Sequence, residues 1–144
     1  MATDRILVHA DIAPAFINSL KAALASQSDP NTPPPTLVNQ ASKARVEKLI
    51  SSALESGARL LHTPVENTQN EPGVRMPPVI LEGVKEDMSV WQEENFASLA
   101  SCMVVSSDDE AIRIANSSSY GLSASVFTED LRKGFAMARK IQSG

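Results

Sequence analysis

The feature that most constrains this chain is a change of period between residues 46 and 62. Val46, Leu49, Ile50, Ala53 and Leu54 recur at spacings of three and four, one stripe of a helix, with Lys43, Glu47, Lys48 and Glu55 largely outside it. Gly57 is placed to stop that helix in a left-handed conformation. Arg59-Leu60-Leu61-His62 then reads as a short strand. The same alternation recurs elsewhere. Ile6-Leu7-Val8 is a β-branched apolar run, and Asp11 is placed to cap a helix whose apolar face is Phe16, Ile17, Leu20, Ala23 and Leu24. Pro77-Pro78-Val79-Ile80-Leu81 enters a strand through a rigid extended segment. The run Leu99 to Val105 is small and apolar, as buried strands are.

Ser107 and Glu110 have capping-box spacing ahead of a helix from Ala111 to Asn116. Leu122 to Phe127 reads as a further strand. Thr128 is then expected to cap a last helix that turns Leu131, Phe135 and Ala138 inward. The proline-rich stretch from Ser26 to Pro35 and the polar stretch from Pro64 to Gly73 are loops. Strands alternate with helices, and one strand pair is adjacent in sequence. That order gives an α/β fold with a mostly parallel sheet covered by helices.

Composition removes several classes of function. A formal net charge of −4 makes phosphate backbones and anionic membrane surfaces poor partners, so neither nucleic acid nor membrane is expected. No apolar run approaches the roughly 20 residues that span a bilayer, and Met1-Ala2-Thr3-Asp4-Arg5 lacks the pattern of a signal peptide. The single cysteine, Cys102, excludes an internal disulfide and fits a reducing, cytoplasmic setting. Structured-looking sequence reaches almost to both ends, which is the expectation for a fragment: one partial domain over residues 1–144, truncated at both ends.

Two segments carry a family pattern. Asn116 through Thr128, with Tyr120-Gly121-Leu122 at its centre and Phe127-Thr128 at its end, resembles a stretch of aldehyde dehydrogenases. Gln92-Glu93-Glu94-Asn95-Phe96 is similar to that family's Glu-Glu-x-Phe-Gly-Pro motif. The Pro77 to Leu81 strand, Asp87-Met88 and the helix end at Glu55-Ser56-Gly57-Ala58 fall in the family's order, so the resemblance covers essentially the whole chain. It implies the catalytic, thiolester-forming domain of the family, with the Rossmann cofactor domain absent. Met1-Ala2-Thr3-Asp4-Arg5 looks like the residues directly after the nucleophilic cysteine, which is then expected just before Met1. No catalytic residue is therefore expected within the chain.

The resemblance implies a cofactor role for Glu94, whose carboxylate would accept hydrogen bonds from the nicotinamide-side ribose, and for Phe96, which would pack beside the same sugar and ring. The full-length protein is expected to use NAD or NADP, with none bound to the fragment. The usual Gly-Pro is Ala97-Ser98 in this sequence, and Asn95 stands at a commonly aliphatic position. Ala97-Ser98 can follow the family's path only if no positive φ is needed there. Cys102 lies in an apolar run without Lys, Arg or His beside it and reads as a buried hydrophobe rather than a nucleophile. His9 and His62 lack metal-site spacing, so no metal is expected. Trp91 reads as a packing residue, and Tyr120-Gly121 as a turn.

The implied activity is oxidation of an aldehyde to a carboxylic acid by an NAD(P)-dependent enzyme, inactive as this isolated chain. Aliphatic, aromatic and semialdehyde substrates stay open, with the opening residues leaning toward salicylaldehyde-type members. A related semialdehyde or acyl-CoA-linked dehydrogenase shares the pattern. The family implies a homo-oligomer, and the edges left by amputation imply self-association. The alternative is a short, non-catalytic paralogue serving as an assembly module.

Overall fold

The structure, a computed structural model, describes residues 3–27, 32–62 and 73–143. Arg5–His9 forms β1, Arg59–His62 β2, Val79–Glu82 β3 and Leu99–Val105 β4. They make one four-stranded sheet in the order β1-β4-β3-β2. β4 runs parallel to both β1 and β3, with Arg5 opposite Ser101 and Leu81 also opposite Ser101. The strands adjacent in sequence, β2 and β3, pair antiparallel. The sheet is thus mixed but mostly parallel.

Alternation along β4 sends its side chains to two different layers. Leu99, Met103 and Val105 join Val79 and Leu81 in the main core. The helix Gln40–Glu55, α2, supplies Val46, Leu49, Ile50 and Ala53 to that core, so the stripe seen in sequence is the face that packs. Val90 and Trp91 of the short helix Ser89–Gln92, α3, and Ile114 of the helix Asp108–Ala115, α4, complete it. Cys102 points the other way, into a small cluster with Val8 and Ala13, against which Ile6 and Phe16 pack. The helix Ala13–Gln27, α1, lies on this second face, and Phe16, Ile17, Leu20 and Leu24 are only half-buried while Ala23 is exposed.

Local chemistry explains the helix ends, with some corrections. Asn39 caps α2 by accepting from the Ser42 amide at 2.8 Å. Gly57 takes a φ of 97° just past the helix. Asp11 does not cap α1, because the helix begins two residues later and the Asp11 amide donates to His9 Nδ1 at 3.3 Å. The capping box of α4 is shifted by one: Ser107 Oγ accepts from the Glu110 amide, but the Glu110 carboxylate reaches Ser106. Lys43 lies inside the core face rather than outside the stripe, its side chain 3 % exposed and reaching Glu47 at 3.9 Å.

The C-terminal expectations need the largest correction. Residues 122–127 form no ladder strand with any described residue, since a strand exists only where a neighbour offers its amides and carbonyls. The last helix, Leu131–Ala138 or α5, is capped by Asp130, which accepts from the amides of Arg132 and Lys133; Thr128 Oγ1 only accepts from the Asp130 amide. Leu131 and Phe135 face outward, 74 % and 67 % exposed, and Ala138 is exposed as well; ion pairs link this region to α4, Lys133 to Asp108 at 2.8 Å and, just past α5, Lys140 to Asp109 at 3.5 Å. The loop expected from 64 to 73 lies, except for Gly73, outside the described residues, as does the loop core at 28–31. Among the described residues no helix is long and apolar enough to cross a membrane.

Candidate functional site

The segment Glu93 to Ser98 leaves α3 and enters β4, whose neighbour β3 starts where Val79 donates to the Ser98 carbonyl at 2.7 Å. Between those anchors the chain bulges outward. Glu94 is half-buried, and its carboxylate has no partner among the described residues. Phe96 is 79 % exposed with a φ of 48°, the one described non-glycine residue with positive φ. Such a conformation costs a bulky residue about 1–3 kcal/mol and persists only where surrounding contacts over-determine it. The positive φ therefore falls on the aromatic itself, and Ala97-Ser98 does not need one.

Those surrounding contacts come from two directions. Arg45 on α2 donates through Nη2 to the carbonyl oxygens of Glu94 at 3.1 Å and Asn95 at 2.8 Å, and through Nη1 to the Glu93 carboxylate at 3.2 Å. The adjacent acids thus divide: Glu93 is paired, Glu94 is not. From beneath, Asn95 is 2 % exposed and its Nδ2 donates to Asp4 Oδ1 at 2.6 Å, while its own Oδ1 has no partner among the described residues. Sequence reasoning passed over Asp4 and Arg45. The departure from an aliphatic residue at 95 was the signal that could have found the pair.

Arg5 fastens the same region from the first strand. Its Nε donates to the Trp91 carbonyl at 2.8 Å, and its guanidinium lies 5.6 Å from the Trp91 ring centroid and 5.9 Å from that of Tyr120. Nη1 donates to Ser118 Oγ at 2.7 Å. Trp91, 2 % exposed, is a packing residue as expected, and the Tyr120 motif is drawn to the site through Arg5. Gly121 has a structural job: a Cβ there would stand 2.7 Å from the Gln142 carbonyl oxygen. Asn116 grips the same turn, donating to the Lys140 carbonyl and accepting from the Gln142 amide, both at 2.8 Å.

The remaining candidates stay apart from this site. Burial, with a lesser contribution from the Glu82 charge, pushes the Cys102 thiol up to about 11, so it is protonated at neutral pH. His9 is half-buried near the Asp11 amide, and the side chain of His62 lies outside the described residues. Among the described residues no group of three or more His, Cys, Asp or Glu could hold a metal ion.

Comparison with known proteins agrees with the fold and extends over the whole chain. The profile of the aldehyde dehydrogenase family matches residues 1–144. Vanillin dehydrogenase of Pseudomonas fluorescens is 32% identical over 149 residues, covering 100% of this chain and 30% of that protein. Among solved structures, a salicylaldehyde dehydrogenase from Pseudomonas putida G7 complexed with salicylaldehyde superposes with a TM-score of 0.86 at 29% identity, covering 98% of this chain and 29% of its own. An NADP-dependent glyceraldehyde-3-phosphate dehydrogenase from Bacillus halodurans C-125, complexed with NADP, gives 0.88 at 27% identity, covering 99% of this chain and 30% of its own. The chain thus spans about 30% of the length of the relatives it matches. With its entire sequence matched and its sheet shared with solved members, the chain belongs to the aldehyde dehydrogenase family.

Proposed function

We propose that this chain supplies the ribose-facing part of the catalytic domain of an enzyme that oxidises an aldehyde to a carboxylic acid with NAD or NADP. The observation that supports it is the Glu94 to Phe96 turn. A carboxylate with no partner among the described residues stands two positions from an exposed aromatic held in a strained backbone. Residues of this kind fit a ribose: the carboxylate can accept from two hydroxyls at once, and the ring offers an apolar face to the sugar and the base beyond it. When bound, the nicotinamide supplies the hydride acceptor. Glu94 and Phe96 contribute orientation, which decides how well a bound reactant is aligned.

The nucleophile is a separate group. Cys102, 1 % exposed and protonated, does not serve, and the opening residues support a cysteine immediately before Met1. The 144-residue chain by itself is accordingly inactive and holds no dinucleotide, the Rossmann domain lying elsewhere in the sequence of the whole protein. Similarity to vanillin and salicylaldehyde dehydrogenases supports an aromatic aldehyde as substrate. The whole protein is proposed to be a cytoplasmic homo-oligomer.

A hybrid enzyme tests this reading. Residues 3–143 replace the matching segment of the Pseudomonas putida salicylaldehyde dehydrogenase, and NAD reduction is followed with salicylaldehyde. The hybrid is expected to turn over, and Glu94→Gln to lower kcat/KM for the dinucleotide on the order of 100-fold, the loss that misplacement of a reacting group brings. Full activity in the Glu94→Gln hybrid would remove the ribose assignment. Enzyme-like NAD reduction by the 144-residue chain alone would overturn the assignment of the nucleophile.

A further inference from the structure

We propose that Asp4, Asn95 and Arg45 are positioning residues: together they hold Phe96 in its left-handed conformation and so aim Glu94 and Phe96 outward as a pair. The consequence for the dinucleotide rests on the ribose reading above; the mechanical claim does not.

The conformation of Phe96 is set by the planes on either side of it. The peptide linking Asn95 to Phe96 carries the Asn95 carbonyl, and Arg45 Nη2 grips that oxygen at 2.8 Å together with the Glu94 carbonyl at 3.1 Å. Two consecutive peptide planes are therefore fixed by one guanidinium, whose rigid fork offers several donors in a set geometry. Two residues beyond Phe96, the Ser98 carbonyl is committed to Val79 at the start of the sheet. What remains free is the side chain of residue 95, which decides whether the turn can roll about its own axis. Asn95 points inward, 2 % exposed, and its Nδ2 holds a charged acceptor, Asp4 Oδ1, at 2.6 Å.

An aliphatic side chain at 95 would fill the same space without an orphaned buried oxygen, and the Asn95 Oδ1 is such an orphan among the described residues. What asparagine adds is the link to Asp4. That link joins the turn to the residue just before β1, the segment that the family reading places directly after the nucleophile. One hydrogen bond thus ties the ribose-facing turn to the segment that leads into β1.

The test uses the 144-residue chain and the NMR signature of Phe96. A positive φ brings a residue's own amide and Cα protons unusually close, so their mutual Overhauser effect is strong and marks this conformation. It is expected to be strong in the natural chain and in Asp4→Asn, which keeps an acceptor oxygen for Asn95. It is expected to fall to the level of neighbouring residues in Asp4→Ala and Asn95→Leu, while the amide shifts of β3 and β4 stay in place. If Asn95→Leu does not fold, Arg45→Met reads the same signal from the solvent side, with the same loss expected. A strong signal that survives Asp4→Ala, Asn95→Leu and Arg45→Met overturns the proposal, as does its absence from the natural chain. If the signal depends on these residues while Glu94→Gln leaves the hybrid enzyme unchanged, the ribose reading fails and the brace stands.

Discussion

Gly121 shows how a residue can be recognisable in a sequence for a reason the sequence does not display. The Tyr-Gly pair stands out as a family pattern and reads locally as a turn. Its constraint comes from the Gln142 carbonyl, 2.7 Å from where a Cβ would sit and some twenty residues away in sequence. Asn116 repeats the lesson, since both ends of its side chain are used on the same distant turn. Gly121→Ala is therefore expected to overpack that contact and cost about 1–3 kcal/mol, with faster amide exchange confined to residues 131–142. Unchanged exchange there would show that the turn gives way freely. Glu94 and Phe96 were legible as a motif. Asp4 and Arg45 were not, because their partners lie 91 and about fifty positions away, and neither side chain belongs to a local pattern.

Helices and strands differed in how much of them the sequence displayed. The α2 stripe was visible because a helix is closed by its own hydrogen bonds, so apolar spacing alone names the buried face. Its first turn still misled, as Lys43 buries its stem and carries its ammonium toward Glu47. Residues 122–127 alternate like a strand, yet a strand is a property of two segments, and no described segment forms a ladder with them. The spacing of α5 likewise names an apolar face without saying what it meets. Two truncations measure that contrast. Leu49→Ala, in the α2 core, is expected to cost about 2–5 kcal/mol, whereas Phe135→Ser, at 67 % exposure, is expected to stay within about 0.5 kcal/mol. Comparable losses in urea denaturation would mean that α5 packs against more than the structure shows.

Over the whole molecule, apolar exposure is concentrated toward the C-terminal side. Leu122, Phe127, Leu131 and Phe135 are 77 %, 94 %, 74 % and 67 % exposed, and a groove of about 410 Å³ runs between 124–128 and α5. Surfaces of this kind favour association. The 144-residue chain is expected to sediment as concentration-dependent oligomers at micromolar levels, and Leu131→Lys with Phe135→Lys to shift it toward monomer. A single monomeric species in the unaltered chain would count against this self-association. In the layer beneath Arg5 one buried side chain has practical value. Trp91 is the single tryptophan, shut away at 2 % exposure beneath the Arg5 guanidinium and beside the turn that carries Glu94. The chain's indole emission thus comes from one place. It is an optical gauge of that layer alone, silent when α5 frays and altered when the contact between β1 and α3 comes apart.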